Sequence, residues 1–346
     1  MHSSVPSLRS ACVSSWPTLA ELLDASCVVR IPMNTRFRGV THREAMLFRG
    51  PAGWGEWSPF VEYGPAESSR WLAAAIEAAW CGWPEPVREV VPVNATVPAV
   101  PASRVPDILD RYDGFAAVKV KVAEQGQSLA EDVDRVAAVR DYVGADVPVR
   151  LDANAGWDVR TAVEAIAVLS RYSLEYVEQP VAEVDDLARL RRALVTAGCS
   201  VRIAADESIR KAEDPLRVAR AEAADLIVVK VAPLGGVRRA LEIAEQVGLP
   251  TVVSSALDTS VGIGAGVALA AALPELEFAC GLGTVALLAG DVSRSSLVPR
   301  GGVLPVGSVE VDSGLVEQFE APVERLQWWH QRLGSAYRYV CDSPGL

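Results

Sequence analysis

Through the middle of this chain, short apolar runs end in charged side chains at a regular interval. Val118-Lys119-Val120-Lys121-Val122 is followed by Val149-Arg150-Leu151-Asp152-Ala153-Asn154, then by Leu174-Glu175-Tyr176-Val177-Glu178-Gln179-Pro180. Ile203-Ala204-Ala205-Asp206-Glu207-Ser208 and Ile227-Val228-Val229-Lys230 continue the series. From Lys121 the steps to Asp152, Glu178, Asp206 and Lys230 are 31, 26, 28 and 24 residues, which suits one strand plus one crossover helix. The pattern predicts eight strands, over residues 91–97, 116–122, 147–152, 174–178, 201–206, 225–230, 250–255 and 277–280. Helix starts fall between them: Ser128-Leu129-Ala130-Glu131 reads as a capping box, Asp158 caps 159–171, and Asp214-Pro215 sets a cap before a proline. Eight such steps predict a TIM-type α/β barrel with five charges gathered at the carboxyl end of its sheet. A doubly wound sheet would also alternate, but its polar groups gather at one crevice and not at successive strand ends.

Residues before about 98 lack this rhythm. Strands are predicted over 27–31, 45–49 and 54–57, the last two joined by Gly50-Pro51-Ala52-Gly53. Trp71, Leu72, Ile76 and Trp80 recur at helical spacing within 66–79. The reading is therefore an α+β domain over 1–90, bounded by the Pro-rich stretch 83–92, then a barrel over 91–300. A tail over 301–346, with a strand at 309–311 and a helix at 316–333, is expected to pack back on the first domain. Leu297-Val298-Pro299-Arg300-Gly301 reads as a loop.

Composition narrows the partners. The 346 residues suffice for a barrel of about 200–250 residues plus a smaller domain, and half of them are hydrophobic. A net charge of −11 with no Lys/Arg block argues against nucleic acid or a membrane surface as partner. The six cysteines are scattered, which disfavours a disulfide framework or zinc site and suits a reducing cytoplasm. The first fifteen residues lack the apolar run of a signal peptide, and the stretch 261–273 falls short of the ~20 residues that span a bilayer. A soluble cytoplasmic protein with a small-molecule carboxylate partner is expected, while the oligomeric state is not legible.

Three carboxylates at neighbouring strand ends, Asp152, Glu178 and Asp206, would repel one another unless a cation joined them. An oxygen-only donor set indicates a hard ion, Mg²⁺ by preference with Mn²⁺ able to substitute. Lys119 and Lys121 are two apart and so share a strand face, where an apolar barrel does not ordinarily place two ammonium groups. Lys121, nearer the strand end, is the candidate base, with Lys119 and the metal lowering its pKa. Lys230 lies four strands further on, across the barrel. Two lysines flanking a metal-bound substrate suit removal of a proton next to a carboxylate. His2, His42 and His330 all lie outside the barrel segment, which disfavours histidine bases and serine-type triads. Ser254-Ser255 followed by Gly262-Ile263-Gly264-Ala265-Gly266 could offer backbone N–H groups to an anion, although close helix packing is the ordinary use of such glycines. Gly281-Leu282-Gly283 could supply another donor.

Lys119-Val120-Lys121, Asp152-Ala153-Asn154, Glu178-Gln179-Pro180, Asp206-Glu207-Ser208 and Lys230 together resemble the enolase superfamily, in its muconate-lactonising subgroup. The resemblance extends over nearly the whole chain. It implies a modified (β/α)₇β barrel with a capping α+β domain, whose turn-and-strand signature Trp54-Gly55-Glu56 is similar. It also implies Asp152, Glu178 and Asp206 as Mg²⁺ ligands, oriented by Asn154 and Glu207, and Lys121 as the acid/base lysine with Lys119 as its electrostatic neighbour. Lys230 would stand on the opposite face. Within the subgroup, Ile31-Pro32-Met33-Asn34-Thr35-Arg36-Phe37-Arg38-Gly39 and Gly50-Pro51-Ala52-Gly53-Trp54-Gly55-Glu56 look most like the actinobacterial o-succinylbenzoate synthases of menaquinone biosynthesis. That family implies dehydration of a cyclohexadiene carboxylate, with a succinyl carboxylate held near Ser255 and Gly281 and a further substrate contact at Arg38. An N-acylamino acid racemase or dipeptide epimerase would use the same lysines. A non-catalytic barrel that binds an acidic metabolite or a protein stands as the alternative of another class.

Overall fold

The computed structural model describes residues 16–37, 39–210 and 214–342. Its strands are β1 (Ser26–Phe37), β2 (Val40–Gly50), β3 (Gly53–Trp57), β4 (Val90–Pro92), β5 (Asn94–Val97), β6 (Asp113–Phe115) and β7 (Ala117–Lys121). They continue with β8 (Val149–Asp152), β9 (Leu174–Glu178), β10 (Arg202–Ala205), β11 (Leu226–Val229), β12 (Thr251–Val253) and β13 (Arg300–Pro305). Strands β1, β2 and β3 form an antiparallel sheet in that order. The helix Pro65–Ile76 lies against it and buries Trp71, Leu72 and Ile76. A side chain at Gly50 or Gly55 would meet the carbonyl oxygen of Ala79 or Ala75 at 2.2 or 2.1 Å, so helix and sheet approach this closely only through glycine.

Seven parallel strands follow in the order β12-β11-β10-β9-β8-β7-β5 and make a curled sheet. Its two edges meet through one segment. The Cys280 N–H donates to the Pro92 carbonyl at 2.7 Å and the Asn94 N–H to the Cys280 carbonyl at 2.9 Å. On the other side, the Gly281 N–H donates to Val253 at 2.8 Å and the Ser255 N–H to Gly281 at 3.1 Å. The strand predicted over 277–280 is thereby reduced to single bridges at Cys280 and Gly281. Phe278 instead fills the floor of the ring with Tyr176, Ala204, Leu226, Val228 and Val252.

Period-two alternation explains the layers. Leu151, Val177, Ile203 and Ile227 pack outward against the helices, while Arg150 and Asp152 share the inner face. Arg150 is 1% exposed; its guanidinium lies 4.9 Å from the centre of the Tyr176 ring and donates to the Ala279 carbonyl at 2.6 Å. The capping box at Ser128 and the Asp158 cap both form, so the helices Leu129–Val143 and Val159–Leu169 start where the sequence says. Asp214 caps no long helix; only the four-residue turn Arg217–Arg220 follows it.

The sequence reading fails at three further places. The strand predicted over 91–97 is two strands, because the chain changes partners at Val93: β4 pairs with β13, and β5 pairs with β7. Pro92 has no N–H to continue a ladder, and Val93 donates to Gly302 at 3.0 Å while Asn94 turns to Cys280. No strand forms at 309–311; the strand is β13, which begins inside the stretch 297–301 read as a loop and carries Gly301 and Gly302 at φ +56° and +78°. The helix predicted over 316–333 is two, Ser313–Gln318 and Val323–Asp342, with Pro322 directly before the second. That last helix packs against Pro65–Ile76, with the Trp57 and Trp329 rings edge to face at 5.3 Å. Among the described residues, no helix is long and apolar enough to cross a membrane.

Candidate active site

Strand register gathers the charges. Lys121 lies opposite Asp152 in the β7–β8 ladder, and Asp152 opposite Glu178 in β8–β9. Asp206 follows β10 directly, and Lys230 follows β11. All six of Lys119, Lys121, Lys230, Asp152, Glu178 and Asp206 are buried, at 0–9% exposure. The Lys121 ammonium donates to the Asp152 carboxylate and, at 2.7 Å, to Asn154 Oδ1. Lys119 Nζ is 3.2 Å from both Glu178 oxygens and 3.5 Å from Asp152 Oδ2, so it bridges two acids. Lys230 donates to Asp206. The two candidate proton-transfer lysines thus stand on separate carboxylates, with β9 and its Glu178 between them.

Arg210, one helical turn beyond Asp206, donates to Asp206 Oδ1 at 3.1 Å and to Glu207 Oε1 at 2.6 Å. Asn154 Nδ2 reaches the same Glu207 oxygen at 3.4 Å, so Asn154, Glu207 and Arg210 form a chain behind the acids. Asn154 is held at φ +44°, a left-handed conformation that asparagine tolerates better than most residues. Gln179, at φ +37°, accepts from the N–H groups of Asp206 at 2.9 Å and Ser208 at 3.2 Å, which aligns the end of β10 with β9.

Four carboxylates here, Asp152, Glu178, Asp206 and Glu207, face four cations, Lys119, Lys121, Lys230 and Arg210. Burial penalises every charge, and the outcome depends on the partners. For Asp152 burial is outweighed by Lys121 and Lys119, which hold its carboxyl well below the usual range. For Asp206, Lys230 and Arg210 likewise outweigh burial and bring it to about 2. Glu178 is pushed up to about 7, first by burial and then by the neighbouring Asp152 charge. Burial pulls Lys119 down, but Glu178 and Asp152 more than reverse it and raise its pKa.

The donor set suits a hard divalent cation: three buried carboxylates on consecutive strands, with no imidazole or thiol among them. Their oxygens here are turned toward ammonium groups, and among the described residues no three acidic, imidazole or thiol groups already converge as a cage. Taking up an ion therefore means exchanging lysine contacts.

A cleft opens above these charges, with Lys119, Lys121, Asp152, Asn154, Arg210 and Lys230 in its lining. Ser255, Gly281 and Thr284 line one side, with Ser255 Oγ 2.8 Å from both the Gly281 carbonyl and Thr284 Oγ1. The N–H groups of Ser255 and Gly281 are engaged in joining the sheet edges, so neither is available as the anion donor the sequence suggested. The glycine run after them is filled from within: the Gly262 N–H and both the N–H and hydroxyl of Thr259 donate to Glu56, at 3.0, 3.1 and 2.6 Å. Arg38 lies outside the described residues.

Phe60, Tyr63 and Trp71, from the N-terminal segment, also line the cleft. Sequence reasoning missed this lining: it placed Trp71 on an amphipathic helix and made no reading of Phe60 or Tyr63. Arg332 of the last helix holds that connection by donating to the carbonyls of Pro59, Phe60 and Tyr63 at 2.9, 2.6 and 3.0 Å.

Residues 107–315 match the enolase C-terminal domain-like family model, and residues 28–79 match the enolase N-terminal domain-like model. The chain belongs to the enolase superfamily. Among its relatives in that superfamily, the o-succinylbenzoate synthase of Thermobifida fusca is 59% identical over 318 residues, covering 91% of this chain and 98% of that protein. The o-succinylbenzoate synthase of Mycobacterium leprae is 53% identical over 330 residues, covering 95% and 96%. Among solved enolase-superfamily structures, the muconate lactonizing enzyme of Pseudomonas fluorescens complexed with muconolactone superposes with a TM-score of 0.73 at 21% identity, covering 86% of this chain and 98% of that one. That likeness speaks for the fold alone.

Proposed function

We propose that this chain is an o-succinylbenzoate synthase, a hydro-lyase that converts 2-succinyl-6-hydroxy-2,4-cyclohexadiene-1-carboxylate to o-succinylbenzoate and water in menaquinone biosynthesis, in the cytoplasm. The observation that carries this reading is 52–59% identity to curated o-succinylbenzoate synthases over more than nine-tenths of the chain. The curled sheet is read as a (β/α)₇β barrel over about 91–300, closed by the segment at Cys280 and Gly281. The described residues within 1–90 and within the tail over 301–346 act as its cap, which is how Phe60, Tyr63 and Trp71 reach the mouth.

Asp152, Glu178 and Asp206 would hold Mg²⁺, or Mn²⁺ in its place, and the ion would supply the positive charge that makes a proton next to the substrate carboxylate acidic. Lys121, as the free amine, accepts that proton at Nζ from ring carbon 1. The electron pair of the broken C–H bond becomes the new ring double bond as the C–O bond at carbon 6 breaks. The Lys121 ammonium then returns its proton to the departing oxygen, which leaves as water. Asn154 and Asp152 fix where the Lys121 amine points. Lys119 anchors Glu178, and Lys230, held by Asp206, faces the other side of the ring as a cation. Aromatisation makes the elimination downhill, so one lysine suffices as acid and base.

The test is dehydration of the cyclohexadiene acid, followed by the absorbance of the aromatic product, for the wild type, for Lys121→Ala and in chelator. Lys121→Ala should lose about 10²–10⁴-fold or more in kcat. Chelator should abolish turnover, Mg²⁺ should restore it, and Asp206→Asn should not respond. Full activity of Lys121→Ala would refute the assignment.

A further inference from the structure

Two parts of the cleft wall are joined by a residue that stands behind it. Arg43, on β2, is 4% exposed. Its Nε donates to the Leu257 carbonyl at 2.9 Å, across a separation of 214 residues. Its terminal nitrogen donates to the Ser58 carbonyl and, at 3.0 Å, to the Ser58 hydroxyl, and lies 3.8 Å from Asp258 Oδ1. The guanidinium plane sits over the Phe60 ring, 4.7 Å from its centre. Phe60 and Leu257 both face the cleft that holds Lys121 and Lys230. Leu257 is buried, packs with Leu287, and has φ +64°. A branched side chain rarely adopts that left-handed backbone, so the surrounding contacts must hold it there.

Resting on the function proposed above, we propose that Arg43 is a positioning residue that sets the apolar wall of the substrate cleft by tying Phe60 to Leu257. It touches no reacting atom. Its guanidinium presents a face to one wall residue and an edge donor to the backbone of the other, so the two cannot separate without a buried cation giving up its ring contact or its bond to the Leu257 carbonyl. Lysine cannot reproduce both contacts, because it lacks the planar fork. Arg43 should therefore act on how well substrate is held and leave proton transfer at Lys121 unaffected.

The experiment combines steady-state kinetics on the cyclohexadiene acid with amide hydrogen exchange over residues 254–262, for Arg43→Met, Arg43→Lys, Phe60→Leu and the Arg43→Met/Phe60→Leu double variant. Arg43→Met should raise KM about tenfold or more with kcat within about threefold, and Arg43→Lys should recover part of the KM. Exchange over 254–262 should quicken by about tenfold or more in Arg43→Met. The double variant should show less than the product of the single KM effects, since both remove the same contact. A fall in kcat at unchanged KM, a purely multiplicative double variant, or unchanged KM and exchange despite a lower Tm would each overturn the proposal. Should Arg43→Met fail to fold, Ser58→Ala, which removes one guanidinium partner, should raise KM in the same direction, and an unchanged KM would overturn it. Exchange requires no substrate, so a wild type without dehydratase turnover would sink the functional reading while leaving Arg43 to be judged on exchange alone.

Discussion

Glu77 offers a quantitative test of how the N-terminal segment is locked to the catalytic sheet. It opens the π-helical turn Glu77–Cys81 that ends the helix from Pro65, and its side chain is 2% exposed. The carboxylate accepts from the N–H of Val237, from the N–H of Arg238 at 3.2 Å and from the Arg238 guanidinium at 2.9 Å. It therefore caps, from another part of the chain, the helix Val237–Val247 that follows the Lys230 strand end. Gly236 leaves room for it: at φ +136°, a side chain there would lie 2.3 Å from Glu77 Oε2. Three bonds to a charged acceptor at about 1.5 kcal/mol each, the low end for such bonds, come to roughly 4.5 kcal/mol. Burial opposes ionisation and raises this carboxyl above its usual range, so deleting it recovers roughly a third of that sum as relieved desolvation, on the order of 1–2 kcal/mol. Glu77→Ala should then destabilise by about 3 kcal/mol, and Glu77→Gln, which keeps one acceptor, by about 1–2 kcal/mol. Equilibrium urea unfolding reads both from the shift in midpoint at constant slope. A loss under about 0.5 kcal/mol for Glu77→Ala would refute the capping account, because a helix end deprived of its cap loses at least that much.

Other outcomes follow from the same geometry. Burial, aided by the Asp258 charge, raises Glu56 from 4.5 to about 7, so between those values the folded protein keeps a proton that the unfolded chain has released. The corresponding stability is fully present below pH 4.5 and lost as pH rises through 7; Glu56→Gln should flatten that slope in urea titrations from pH 5 to 8, and an unchanged slope counts against it. On the mechanism proposed above, Lys230→Arg keeps a cation facing the ring but removes a base. Dehydration should remain measurable while any racemisation of N-succinyl amino acids disappears, and equal loss of both would show that Lys230 transfers a proton in dehydration too.

The charges that matter most were legible in the sequence because they are local. A strand of four or five residues, ended by one acid or lysine and repeated at the period of a βα unit, carries its own side-chain direction through alternation. Asp152, Glu178, Asp206 and the three lysines therefore fell onto one end of one sheet without reference to anything distant. Gln179 and Arg210 were within reach of the same reasoning, being one residue after an acid and one helical turn after another.

What tertiary structure alone decided involves partners far apart in the chain. The chain changes sheets at Val93 because Gly302 accepts from its N–H while Cys280 bonds Pro92 and Asn94 on either side, and no local pattern marks that switch. Ser255 and Gly281 looked like free donors until ring closure engaged both N–H groups with each other's strands. Phe60, Tyr63 and Trp71 form a cleft wall only after Arg332 and Arg43 have gripped their segment from the last helix and from β2. Periodicity in the chain determines which face of an element each residue occupies; which surface that face then meets is set by packing, and packing is a property of the whole fold.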